Sequence, residues 1–418
     1  MITKLKPKSE FSRNVLTLMT GTTIAQAIPI AISPILTRIY TPKDFGVFAL
    51  YMAIVLLLSV FTTGQYDLAI MLPKYEKSAI NIVGLSLVIN MIFSSCILIL
   101  ILIFFDLFQS LLGENSLGNF LYLIPLSVFL IGCYQTLNYW LNREKQYKTL
   151  SINKVVQSLT SSTSSITLGI QDFGEDGLII SQILAQAIVV ALLIKKVKLI
   201  FLFQNFEKLK VIALAKRYIK FPKITMMQSF FSTVIAQLPV VIMNSFFSLK
   251  DAGLYSLASR VVASPMAIVS SSFFQVFYQS FTTEKNKQNF YKIKFIKINA
   301  ILLPPFILLW FFLEPLFGFV FGKEWVMAGV YSQILLPFLY MKFLSNLFTT
   351  TTYLYYERQI ENFALSVLIT TFAIASLFLG VLVDSIVFGL IAMSISNSLV
   401  ILFKLYRSYG FVKRDIKC

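Results

Sequence analysis

Twelve predominantly apolar stretches recur along the chain, at approximately 14–37, 46–66, 79–105, 119–141, 150–170, 177–197, 221–248, 253–279, 296–321, 328–354, 361–383 and 385–406. Each is about 20 residues or longer, enough for a helix rising 1.5 Å per residue to cross a hydrocarbon core roughly 30 Å thick. Short polar turns separate them. The pattern predicts an all-α polytopic membrane protein with about twelve transmembrane helices.

The polar punctuation repeats. Lys43-Asp44-x-Gly46, after the first apolar run, returns 207 positions later as Lys250-Asp251-x-Gly253, after the seventh. Asp172 with Gly177-Leu178-Ile179 matches Asp384 with Gly389-Leu390-Ile391, and Pro125 matches Pro337, all at an offset of 212. Lys145-Gln146 matches Arg358-Gln359 at 213. The expected organisation is therefore two six-helix lobes related by an internal repeat: an N-terminal lobe at 1–198, a cytoplasmic linker at 199–220, and a C-terminal lobe with a basic tail at 221–418. Doubled membrane domains of this kind are the usual build of secondary transporters.

Composition agrees with a life in lipid. Hydrophobic residues make up 57% of the chain and charged ones 13%, and the mean hydropathy is +0.77, values foreign to a soluble globule. The net charge of +17 is mostly topology. With the N-terminus inside, the outer loops carry only Arg38, Lys43, Lys250 and Lys323, whereas cytoplasmic loops and tails hold most of the other Lys and Arg residues. The positive-inside rule then puts both termini in the cytoplasm. Anionic lipid of the inner leaflet is the expected neighbour of the basic face, and no nucleic-acid partner is needed.

Several classes of chemistry drop out. The sequence has no histidine, which removes zinc-protease motifs and histidine relays, and neither a metal site nor a cofactor is expected. Gly113-x-x-x-x-Gly118 has phosphate-loop spacing but is followed by Asn119 where such loops carry Lys, and Asp172-Phe173-Gly174 stands without any other kinase element. Cys96, Cys133 and Cys418 offer no disulfide framework. Ala25-Gln26-Ala27 resembles a signal-peptidase site, but the apolar run continues to Leu36 and reads as a retained first span. The linker carries Lys195 to Lys223 among Phe201, Phe203 and Phe206, and reads as a helix lying on the inner leaflet. No loop is large enough for a soluble catalytic domain, so the chain is not expected to be an enzyme.

The functional candidates are charges at membrane depth. Arg260 lies about eight residues into the eighth run, roughly 12 Å deep, and Lys342 about fourteen residues into the tenth, roughly 21 Å deep. Charges on the lipid face are costly, so both are expected to face a cavity, with snorkelling to the interface as the plain alternative for Lys342. Arg38, at the outer end of the first run, completes a set of three candidate substrate-binding cations. Asp67, Gln65, Gln26, Gln237, Asn244 and Gln275 are candidates for coupling or for polar lining; helix packing is the more common explanation for any one of them, and for Asp67 the plainer reading is an ordinary solvated or ion-paired carboxylate. Pro29, Pro34 and Pro239 are expected to bend the first and seventh helices. The Ser/Thr cluster from Ser158 to Thr167 reads as close packing or a wet wall.

Pro34-Ile-Leu-Thr-Arg38 continuing to Gly46, then Asp67-Leu-Ala-Ile-Met-Leu-Pro73, resembles the N-terminal signature of Wzx-type polysaccharide-biosynthesis flippases, the O-antigen and capsule-unit translocases. Asn142-Arg143-Glu-Lys-Gln-Tyr147, Phe221-Pro222, Asp251-Ala-Gly-Leu-Tyr255 and Phe321-Gly-Lys-Glu-Trp325 follow in order, so the resemblance covers nearly the whole chain. It implies a two-lobed transporter of the multidrug/oligosaccharidyl-lipid/polysaccharide superfamily, with a central cavity and alternating access. The implied cargo is an undecaprenyl-pyrophosphate-linked oligosaccharide moved from inner to outer leaflet, and the implied partners are membrane lipids, a polysaccharide polymerase and a chain-length regulator. A coupling ion, H+ or Na+, is left open, with Asp67 as the carboxylate that could take it. A multidrug antiporter of the same superfamily is the alternative reading, disfavoured because cationic cargo calls for buried carboxylates. A polymerase or ligase would need a sizeable outer loop, which is missing.

Overall fold

The computed structural model describes residues 10–112, 117–197 and 207–414. Among them the chain is helical, with turns and no strand. Sixteen α-helices are labelled here: α1 Glu10–Ile39, α2 Pro42–Ser59, α3 Tyr66–Ala69, α4 Glu76–Ile103, α5 Phe105–Leu112, α6 Ile124–Arg143, α7 Tyr147–Ile170, α8 Glu175–Val197, α9 Lys208–Arg217, α10 Met226–Phe246, α11 Leu249–Thr283, α12 Lys287–Phe321, α13 Val326–Leu344, α14 Thr350–Tyr355, α15 Gln359–Leu382 and α16 Ile386–Arg414. A π-helical turn, Ser345–Thr349, joins α13 to α14. The part of the linker at 198–206, with its three phenylalanines, and the tail at 415–418, with Cys418, lie outside the described residues.

Among the described residues nine segments are long and apolar enough to cross a membrane, and a tenth counts if Phe221–Val234 and Ala236–Phe246 form one bent span. The chain is a multi-pass membrane protein. Two further helices, α7 and α11, have the length to cross and correspond to the runs expected at 150–170 and 253–279; of these α7 is the less apolar. Hydroxyls from Ser158 to Thr167 lower the apolarity of α7, whereas in α11 the charges end at Arg260 and the run from Val261 to Tyr278 carries none. The bend in the tenth segment, 46°, falls at residue 235. Pro239 lies four residues later, where its ring meets the carbonyl at i−4 and no N–H is available to bond it.

The repeated sequence signals are helix caps. Thr41 precedes α2 in extended conformation, its hydroxyl accepting from Asp44 N–H while Asp44 Oδ2 accepts from Thr41 N–H at 2.8 Å, a reciprocal capping box. At the positions 207 later, Ser248 accepts from Asp251 N–H at 3.1 Å and donates to Asp251 Oδ2 at 2.6 Å ahead of α11. The helix ends repeat as well. Lys145 and Glu357 (φ 55 each), and Asp172 and Asp384 (φ 58 and 52), take the left-handed conformation that ends a helix. Each pair is 212 residues apart.

Two compact units are formed by residues 1–245 and 246–418. In the first, α1 and α7 lie against each other. Ser151 and Ser158 donate to the Thr17 and Ala25 carbonyls at 3.0 and 2.7 Å, and Ser165 O accepts from Tyr40 Oη at 2.7 Å. These serines recur every seven residues, the period at which one helix face keeps meeting a partner. A Cβ at Gly21 would overlap the Ser151 side chain, and one at Gly169 would press on Ile39 and Tyr40. The Ser/Thr cluster is thus a close-packing surface along Ser158 and Ser165. In the second unit the Gly380 and Gly389 backbones meet between α15 and α16, and an aromatic core gathers around Phe277, Phe281, Tyr291 and Phe348.

Candidate functional site

The helical ladder of α2 stops at Ser59, and the chain crosses six residues of tight turn before α3. Gly64 and Gln65 both take left-handed φ, 56° and 58°, a conformation unfavourable for glutamine that persists only where surroundings hold it. Those surroundings are polar and dry. Thr62, Thr63 and Asp67 are 0%, 0% and 3% exposed. Thr63 Oγ1 donates to Asp67 Oδ1 at 2.7 Å and accepts from Gln65 N–H at 3.2 Å. Gln65 donates from Nε2 to Val60 O at 3.2 Å and accepts from Ser229 Oγ of α10 at 3.4 Å. Burial pushes the Asp67 carboxyl above its ordinary range, opposed by the Thr63 hydroxyl and nearby backbone N–H groups.

Arg143, the last residue of α6, closes the same turn from the other side. Its guanidinium donates to Ile70 O at 2.9 Å and Pro73 O at 2.7 Å. The two sequence fragments Asp67 to Pro73 and Asn142-Arg143 therefore belong to one construction, in which a planar fork takes up carbonyls freed by the broken helix. Tyr66 Oη adds a bond to Ala215 O of α9 at 3.0 Å.

Other candidates of the first unit are spread along α1 and α10. Arg38 and Gln26 are exposed on α1, and Gln237 and Asn244 are half-buried on α10. Sequence reasoning passed over Lys154, whose Nζ donates to Thr22 Oγ1 of α1 at 3.0 Å. The available signal was a lysine four residues inside the fifth apolar run.

In the second unit Arg260 is half-buried on α11, and Lys342 is exposed on α13 with its ammonium 5.9 Å from the Phe338 ring centre. The side chain of Gln275 lies outside the described residues. A cation that the sequence did not single out, Lys404, is 7% exposed within α16, its ammonium 6.0 Å over the Tyr353 ring. One turn on, Arg407 binds Glu361 through Nε at 3.0 Å and a terminal nitrogen at 2.9 Å. Lys404 was legible as a lysine inside the last apolar run, two residues short of its end. No three His, Cys, Asp or Glu side chains cluster as metal ligands among the described residues.

These features can be set beside known proteins. A family model described as polysaccharide biosynthesis protein matches residues 35–329. The succinoglycan biosynthesis transport protein ExoT of Rhizobium meliloti is 22% identical over 302 residues, 71% of this chain; the chain spans 59% of that relative's length. Among solved structures, the Lipid II flippase MurJ in an inward closed conformation superposes with a TM-score of 0.71 at 15% identity, over 94% of this chain and 87% of that one. An inward-facing multidrug resistance transporter of the MATE family, in the MOP superfamily, gives 0.69 at 16% identity, covering 96% of both. At such identities these structures speak for the fold.

Proposed function

Because the chain belongs to the polysaccharide biosynthesis protein family, we propose that it is a flippase that carries an undecaprenyl-pyrophosphate-linked oligosaccharide from the inner to the outer leaflet of the bacterial cytoplasmic membrane by alternating access. The observation that carries this reading is the family match combined with the character of its membrane-embedded charge: Arg260 and Lys342 are basic residues within helices built to meet lipid. A pyrophosphate-sugar head cannot enter hydrocarbon uncompensated, and a fixed guanidinium supplies part of what water supplied. Its polyprenyl tail stays in lipid throughout. Cationic drugs would call for the opposite charge.

The similarity to a succinoglycan transport protein supports a lipid-linked saccharide as cargo. An inside-negative potential favours outward movement of a negative head by about 2.3 kcal/mol per charge per 100 mV, so translocation needs no bond to be made or broken. Arg38 is assigned the same class of role on the first unit. Gln26, Gln237, Asn244 and Gln275 are assigned polar lining, and Asp67 with Gln65 the site at which H+ or Na+ would couple. A polymerase and a chain-length regulator would act on the cargo after release.

The test is complementation of a flippase-null strain. Arg260→Ala should abolish surface polysaccharide at normal protein level and membrane insertion, and Arg260→Lys should retain part of the activity, since charge survives without the planar fork. Lys342→Ala and Arg38→Ala should give milder losses. A well-expressed Arg260→Ala protein that complements like wild type would refute the assignment.

A further inference from the structure

The second unit buries a lysine whose charge its surroundings leave uncompensated. Lys404 is 7% exposed within the last apolar span, Ile386–Lys413. Its ammonium lies over the Tyr353 ring and bonds to no acceptor among the described residues. Its titratable and charged neighbours have other partners. Tyr291 of α12 bonds to Ser408 at 2.8 Å, Tyr340 of α13 donates to Asn299 at 2.7 Å, Tyr353 of α14 lies 3.5 Å from Glu361, and Glu361 of α15 is bound by Arg407 at 2.9 Å. Two turns back on the same face of α16, Asn397 is buried and its Oδ1 has no hydrogen-bond partner among the described residues. Between α13 and α14, which pack with α16, the π-helical turn Ser345–Thr349 has Thr349 Oγ1 donating to Ser345 O at 2.6 Å, and turns of this kind frequently mark functional sites.

The fold does not require these groups. The bonds that close α6 and α14, Gln146 N–H to Leu141 O and Arg358 N–H to Tyr353 O, both at 2.9 Å, keep the 212-residue offset of the repeat. At that offset Thr349, Tyr353, Asn397 and Lys404 answer to Leu137, Leu141, Ala185 and Leu192, and α6 runs through 133–137 without a π-turn. Buried polar groups cost stability unless they are paired. An orphaned acceptor and an uncompensated ammonium, where the first unit has apolar residues, therefore point to an exchanged ion. Burial selects which one. With Ile401 and Leu405 buried beside it, Lys404 leaves no room for a phosphate, and its charge repels a metal cation. A proton fits, because lysine, unlike arginine, can change its charge when buried. We propose that Lys404 is a proton-exchange site of the second unit, separate from Asp67, releasing one proton along Tyr353 and Glu361 toward the C-terminal end of α16 and taking one up again in each transport cycle. Only N–H and O–H bonds change: the ammonium becomes an amine, and Glu361, its side chain 28% exposed, passes the proton to solvent. The inference rests on the flippase reading for the cargo that this proton drives.

The test uses the full chain in vesicles with an undecaprenyl-pyrophosphate oligosaccharide, a trapped pH-sensitive dye and a collapsed membrane potential. Translocation should move protons against the cargo, and an imposed difference of about one pH unit should shift the cargo between leaflets about tenfold per proton exchanged. Lys404→Met and Lys404→Arg should both abolish that shift while still binding the cargo and melting like wild type, since arginine keeps the charge but holds its proton. Glu361→Gln, which leaves Lys404 in place, should slow the proton movement without changing the final shift. A tenfold shift preserved in Lys404→Arg makes the lysine a structural cation and overturns the site. So does wild-type protein that translocates without moving protons; both results leave the flippase reading standing. Where both Lys404 variants misfold, unchanged proton movement in Glu361→Gln overturns the route. A folded protein that neither binds nor translocates the cargo overturns the flippase reading with it.

Discussion

At the scale of single residues, Asp67 shows how a carboxylate can be satisfied and still be under electrostatic load. It accepts from Thr63 at 2.7 Å, yet burial raises its pKa above the unfolded value. As pH rises, the unfolded state therefore releases this proton before the folded state does. The residue's stabilising contribution is full below the ordinary carboxylate range and is lost as pH climbs through the raised folded-state value. Thermal unfolding of the purified protein across mildly acidic pH should show that slope, and Asp67→Asn, which keeps an acceptor for Thr63 and cannot ionise, should flatten it. An unchanged slope in the variant would mean that another group titrates. Arg143 teaches a related lesson, because a residue whose sequence context marks a family serves here to bind the Ile70 and Pro73 carbonyls.

At the scale of elements, close backbone approach outweighs individual hydroxyl bonds. The α1–α7 seam has both, so the two can be ranked. Ser158→Ala removes one bond to Ala25 O, and bonds of this kind between membrane helices average about 0.6 kcal/mol. Gly21→Leu must force α1 away from Ser151, and overpacking of this sort costs about 1–3 kcal/mol. Unfolding midpoints in detergent should therefore fall further for Gly21→Leu than for Ser158→Ala. Gly380→Leu, which meets the Gly389 backbone, should behave like the former in the second unit. The opposite order would make the serine ladder the stronger restraint.

At the scale of the whole molecule, the number of crossings turns on α7, the long helix that falls short in apolarity, and on α11, which carries Arg260 within its length. If both cross, single cysteines at 174 and 384 in a cysteine-free background should react with an impermeant reagent added from outside the cell. Parity makes the test sharp. Were only α7 to stay on one side, residues 174 and 384 would both be protected; were only α11 to do so, residue 384 alone would be; were neither to cross, residue 174 alone would be.

Sequence alone reached the membrane class because span length and hydrophobicity are local quantities, set by bilayer thickness and transfer free energy along one helix. The return of Lys43-Asp44 as Lys250-Asp251 was legible for a similar reason, since Thr41 with Asp44, and Ser248 with Asp251, close bonds within one turn of chain; that these are helix caps came from the structure. What remained hidden was the identity of partners distant in sequence. That Arg143 reaches Ile70, that Lys154 meets Thr22 and that Lys404 lies over Tyr353 are outcomes of helix packing. In lipid, nearly every side chain on such helices is apolar, so the hydrophobic pattern no longer says which face meets a neighbour. Tertiary structure decides it through small residues, shape and a few polar bonds.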